Sequence, residues 1–145
     1  MSLAPLAVLA AGFLPPLMEA LSMDGPAEGL RSGMRLMCHG IPGRCPEVLG
    51  GPAALCARCI GIYSALFVGC AFLFPVARYR MSTRTSLLLA IAANLVMAAE
   101  WSLEYAGFLS PPLLLRAATG SIWGACTGLA LCMAGPEGVV LRGSS

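Results

Sequence analysis

Charge is what this chain has least of. Only 11% of its 145 residues are charged, and lysine is absent, so all nine basic residues are arginine. Hydrophobic residues make up 58% of the chain, against about 45–50% in soluble globular proteins. A soluble fold of this length could not cover itself with so few charges. The net charge of +2 is too small for a nucleic-acid partner, which needs a basic stripe to meet phosphates. Histidine is almost missing too, with His39 alone, so any metal or acid–base site must draw on other side chains. No basic residue precedes Arg31, and the first apolar stretch therefore lacks the charged start of a secretory signal. It is expected to stay in the protein as a helix.

The placement of the few charges says more than their number. None falls between Met1 and Glu19, Arg58 and Arg78, Arg84 and Glu100, or Arg116 and Glu137. About 20 apolar residues cross a bilayer core as a helix, and only a fully hydrogen-bonded backbone survives there. The expectation is one all-α domain over 1–145, an integral membrane bundle of about four transmembrane helices. The spans fall near 3–21, 59–78, 86–108 and 113–134. Pro5 and the pair Pro15–Pro16 should kink or interrupt the first one. Arg78, Arg80 and Arg84 share a short loop without an acid, which by the positive-inside rule puts that loop in the cytoplasm. The protein is then a multi-pass protein of the cell (inner) membrane. Its long polar segment, 22–58, faces the extracytoplasmic side. Residues 142–145 read as a tail that carries no argument.

That polar segment is rich in Gly and Pro and long enough to be functional or disordered. Met34, Leu36 and Met37 suggest a piece lying at the membrane interface, and Pro52 is well placed to open the second span. The segment also concentrates the chemistry: Cys38-His39, Cys45, and Cys56-Ala57-Arg58-Cys59. A Cys-x-x-Cys pair with a further Cys or Cys-His nearby fits a tetrahedral soft-metal site such as zinc. Thiolate and imidazole suit zinc, copper(I) and iron. The candidate ligands are Cys38, Cys56 and Cys59, with His39 or Cys45 as the fourth. If His39 is not a ligand it is a candidate proton-transfer group. The same thiols support a redox reading, because a cysteine near a helix N-terminus and beside Arg58 is a better nucleophile. Cys38–Cys45 and Cys56–Cys59 would then be exchanging disulfides of an oxidoreductase coupled to a membrane quinone. A structural staple is the third reading. Cys70, Cys126 and Cys132 lie inside spans and read as small packing residues.

Glu100 and Glu104 stand four apart at the end of the third span, on one helix face. An acid inside the membrane is expensive enough to mark function. Glu100, Arg58 and Arg116 join His39 as candidate catalytic residues, with Arg44 lining the same polar pocket. Arginines there point to an anionic or lipid substrate, since the guanidinium binds such groups bidentately. A metal carrier using Cys70 and Glu100 as relay sites is a further alternative. Asn94 needs a polar partner within the bundle. Gly120, Gly124 and Gly128 form a side-chain-free ridge for a close helix crossing. The Ala-rich third span offers a surface for it, within the chain or in a homo-oligomer.

Two segments carry a family resemblance: Cys38-His39-Gly40-Ile41-Pro42-Gly43-Arg44-Cys45 and Cys56-Ala57-Arg58-Cys59-Ile60-Gly61-Ile62-Tyr63. They resemble the pattern Cys-His-Gln-x-Pro-x-Arg-Ser, then Cys-x-Arg-Cys-x-Gly-x-Tyr, of small prokaryotic membrane proteins catalogued as domain of unknown function 2085. Gly40 and Cys45 depart from it, while Arg116, Gly120 and Gly124 match a later Arg-x-x-x-Gly-x-x-x-Gly. The resemblance spans about residues 36 to 130 and implies a multi-span fold. It brings no established activity. With Ser usual at the place of Cys45, it implies a core set of Cys38, His39, Cys56 and Cys59, and so a mixed Cys/His site, most simply zinc.

Overall fold

The computed structural model describes residues 3–135; the tail at 142–145 lies outside the described residues. Helix α1 (Ala4–Ala20) leads through a tight turn into α2 (Asp24–Met34). A 3₁₀ turn (Pro42–Arg44) and a two-stranded antiparallel hairpin, β1 (Glu47–Val48) with β2 (Gly51–Pro52), follow. Positive φ at Leu49 and Gly50 makes the hairpin turn, the sense that matches strand twist. Next come α3 (Ala57–Val68), a π turn (Gly69–Leu73) and α4 (Phe74–Ala77), then α5 (Thr83–Tyr105) and α6 (Leu113–Ala134).

The architecture is an all-α membrane bundle. Three helical segments are long and apolar enough to cross a membrane: Ala57–Ala77, Thr83–Tyr105 and Leu113–Ala134, of 21, 23 and 22 residues. Helix α1 is a shorter apolar helix of 17 residues, at the lower end of the length that crosses a bilayer. Leu88, Leu95, Ile122 and Leu131 stay exposed along the spans, as lipid-facing side chains should.

Local chemistry sets the boundaries. The Ser82 hydroxyl accepts the Thr85 N–H at 3.1 Å and opens α5. Gly107, at φ +78°, closes it, with Gly107 N–H to the Glu104 carbonyl and Phe108 N–H to that of Leu103, the paired bonds of a glycine-terminated helix. The π turn precedes Pro75, which has no N–H and crowds the carbonyl four residues back. The Phe74 N–H reaches Gly69 instead, so the span continues through a wider turn.

Three expectations need correction. Pro15 and Pro16 do not interrupt α1; both are buried inside it. Pro16 cannot donate to the Gly12 carbonyl, and that oxygen accepts the Ala54 N–H at 2.9 Å. Leu55, fully buried, packs on Gly12, where a Cβ would meet Leu55 Cγ at 2.7 Å. The prolines thus open a docking point for the polar segment. Pro52 belongs to β2, and the second span begins at Ala57 behind Cys56. The glycine ridge of α6 faces α3, not the alanines of α5. A Cβ on Gly120, Gly124 or Gly128 would run into the backbone of Arg58, Ile62 or Leu66. Gly61 and Gly69 of the partner segment meet α6 backbone in return, so both helices present small residues at the same crossing. Helix α5 packs elsewhere on α6, where Trp123 Nε1 donates to Asn94 Oδ1 at 2.9 Å. That is the partner Asn94 required.

Candidate metal centre

Docking of residues 53–55 onto α1 delivers Cys56 to the start of α3. Cys56 is the N-cap of that helix, and its sulfur accepts the Cys59 N–H at 3.5 Å. Cys38, just beyond α2, is carried over this helix start. Its sulfur accepts the Cys56 N–H at 3.3 Å. The Cys38, Cys56 and Cys59 sulfurs all lie within 4.8 Å of one another. Zinc–sulfur bonds of about 2.3 Å in a tetrahedron put sulfurs about 3.8 Å apart, so this group has the dimensions of a soft-metal site. Met34, Ala54 and Leu55 are buried around it, with Val8, Ala11, Leu30, Ile60 and Tyr63 packed against them. The thiols therefore sit in an apolar pocket at a helix N-terminus, where the backbone favours negative charge.

Cys38 is the thiol that ionises first. The Cys56 and Cys59 thiols donate to it, as do the backbone N–H groups of Cys56 and Gly40, and these hold it far below the usual thiol range despite burial. Cys56 is pushed up because its proton is committed to Cys38. One thiolate held by two thiol donors is a chelate with protons where a metal would bind.

The other candidate ligands lie apart. Cys45 is buried and close enough to feel Cys38 and Cys56 electrostatically, yet it is outside the group of three. Burial pushes its thiol up to about 11. His39 is exposed and also stands outside the group. Gly40, at φ +58°, turns the chain directly after it.

Arg58 leaves the thiols on a different face of the same helical turn. Its Nη2 donates to Glu100 Oε1 at 3.0 Å and to Glu104 Oε2 at 3.1 Å. Arg116 Nη1 donates to Glu104 Oε1 at 2.8 Å, and Arg116 Nε to the Pro111 carbonyl at 3.0 Å. Arg44 completes the network at 2.7 Å from Glu104. Glu100, Arg58 and Arg116 are thus brought together, and His39 is not. The hub is Glu104, whose side chain is 6% exposed beneath three arginines. Sequence reading undervalued it, because a helix-end acid usually reaches the headgroups. The signal was its i, i+4 spacing from Glu100. Among the described residues nothing bonds Arg58 Nε or Glu100 Oε2, both buried.

The 3₁₀ turn connects the two centres as well, since Arg44 at its end enters the ion-pair network and the next residue, Cys45, is close enough to feel Cys38 and Cys56 electrostatically. A family model described as predicted membrane protein (DUF2085) matches residues 38–130. The chain belongs to this DUF2085 family. The match begins at Cys38 and takes in Arg44, Cys56, Arg58, Cys59, Glu100, Glu104 and Arg116. No curated protein and no solved structure matches the chain.

Proposed function

We propose that this DUF2085 protein binds a transition metal, most simply zinc, through Cys38, Cys56 and Cys59 at one membrane face. The observation that carries the reading is the gathering of three sulfurs from two separate segments within 4.8 Å. Three protein ligands leave a fourth position for water or substrate, the arrangement of catalytic rather than structural zinc. His39 follows Cys38 on the exposed side, where it serves proton transfer.

The neighbouring network suits an anionic substrate. Three arginines face two glutamates, so the centre carries a positive excess even with every acid ionised. A group with an anionic oxygen and a hydroxyl, such as a phosphate monoester or a lipid headgroup, answers both the orphaned Arg58 Nε donor and the orphaned Glu100 Oε2 acceptor. The proposed activity is metal-assisted chemistry on such a group.

The alternative, a thiol–disulfide oxidoreductase, needs Cys38 paired with Cys45 and Cys56 with Cys59. The association of Cys38 with both Cys56 and Cys59 favours the metal. Elemental analysis of the purified protein tests the choice: one metal per chain, lost in Cys56→Ser and in Cys59→Ser, is the expected result. Metal-free protein whose thiols are protected until reductant is added would reverse it.

A further inference from the structure

The crossing of α6 with the span from α3 to α4 follows a strict register. Both segments run in the same direction, because α5 returns the chain between them. Gly120 rests on Arg58, Gly124 on Ile62 and Gly128 on Leu66. The partners in each of these contacts are 62 residues apart in sequence, and each contact lies four residues beyond the last. The next one joins residues 70 and 132, again 62 apart, and both are cysteine.

At that position the Cys132 thiol meets the Cys70 sulfur at 2.7 Å, and the Cys70 thiol donates to the Gly128 carbonyl at 3.3 Å. Two local features put them there. The glycines below hold the two backbones unusually close, the approach that the Cα–Cα separation of a disulfide, about 4.4–6.8 Å, demands. The π turn contains Cys70, and Gly69 within it still abuts Ala125, where a Cβ would meet the carbonyl oxygen at 2.8 Å. The contact between the helices therefore survives the irregular turn. Both cysteines are half-buried, and Cys132 lies two residues from the end of α6. Cys70 is eleven residues past Cys59, on the order of 16 Å along the helix, about half the thickness of a bilayer core, so the pair is separate from the candidate metal centre.

We infer that Cys70 and Cys132 are a second thiol site, a dithiol that closes to a disulfide clamp between the first and third long spans. The oxidant is a low-molecular-weight disulfide. The Cys132 thiolate attacks one of its sulfurs, breaks the S–S bond and releases one small thiol. The Cys70 thiolate then attacks the Cys132 sulfur of the mixed disulfide and releases the second. Two protein thiols are oxidised, one small disulfide is reduced, and the two protons leave with the released thiols. A dithiol reductant reverses both steps.

The test is peptide mapping of the purified, full-length protein in detergent. It is incubated with oxidised glutathione, or with dipyridyl disulfide to reach an apolar site, then blocked with N-ethylmaleimide and digested. The expected result is a linked peptide pair holding Cys70 and Cys132, the loss of both maleimide adducts, and their return after dithiothreitol. Oxidation should also raise the unfolding temperature of the wild type but not that of Cys132→Ser. Cys70 and Cys132 still alkylated, or each carrying its own small thiol, after both oxidants would overturn the inference. So would either cysteine cross-linked to a different partner.

Discussion

Glu104 is the residue on which the ion-pair network turns. Three guanidinium groups lie within 3.1 Å of its two oxygens, and its removal leaves them with Glu100 alone. Breaking a buried pair by deleting one partner typically costs about 3–5 kcal/mol, because the remaining charges keep their desolvation. Glu104→Gln should therefore lower the unfolding temperature in detergent well below wild type. Glu100→Gln, which strips one contact from Arg58, should cost less. Equal losses would mean that the network is not organised around Glu104. The proposed metal site separates along similar lines. Cys38→Ser should abolish metal retention, whereas Cys45→Ser and His39→Ala should keep it, since neither residue belongs to the group of three. Elemental analysis after gel filtration reads this directly, and loss of metal in His39→Ala would restore the four-ligand set Cys38, His39, Cys56 and Cys59. These residues could be named from sequence because thiols and intramembrane acids are rare and costly. Their grouping could not. Whether His39 turns in or out depends on the backbone at Gly40, which a motif does not encode.

The same gap between residue type and geometry is plainest in the helices. Charge-free windows located Ala57–Ala77, Thr83–Tyr105 and Leu113–Ala134 within a few residues, because burying a charge in lipid is prohibitive. Pro15 and Pro16 misled for a physical reason. A proline frees a carbonyl, and sequence does not say whether that carbonyl finds a donor elsewhere. Here Gly12 finds Ala54. A counter-intuitive prediction follows for Pro16→Ala. It restores an N–H able to reclaim the Gly12 carbonyl, which should straighten and favour α1 while loosening the segment that carries Cys56. Faster metal loss to a chelator, with helicity unchanged or higher by circular dichroism, is the expected pair of results. Unchanged metal release would show that the Leu55 packing alone holds the segment. The glycine ridge was legible as a close crossing, but its partner was not, since alanines on α5 and glycines on α3 both offer room. Gly124→Ala places a Cβ against the Ile62 backbone, which cannot yield as a side-chain tip can. Overpacking of this kind costs about 1–3 kcal/mol, seen as a lower unfolding temperature. The same substitution at Gly29, inside α2 with nothing within 4 Å, should leave the unfolding temperature unchanged or raise it, by up to about 1 kcal/mol of helix propensity.

At the scale of the molecule the two membrane faces differ in kind. The thiol group, the ion-pair network and the bidentate Arg31–Glu19 pair, at 2.9 Å for both bonds, all gather where α3 begins and α5 ends. The opposite face holds the connection from Ala77 to Thr83, whose arginines, with Arg84 just beyond, have no acid among them in sequence. Arginines tied to carboxylates at one face and a short basic loop at the other make an asymmetric protein. Basic loops are retained in the cytoplasm. We propose on this ground that the thiol face is extracytoplasmic, open to metal and to anionic headgroups of the outer leaflet. His39 and Tyr79 are exposed on opposite faces and report this orientation once each is replaced by cysteine. In intact cells a membrane-impermeant maleimide should label His39→Cys above the wild-type background. Tyr79→Cys should be labelled only after permeabilisation. The reverse pattern would put the thiols in the cytoplasm, where a metal delivered from within becomes the relevant supply and a headgroup of the inner leaflet the relevant anion.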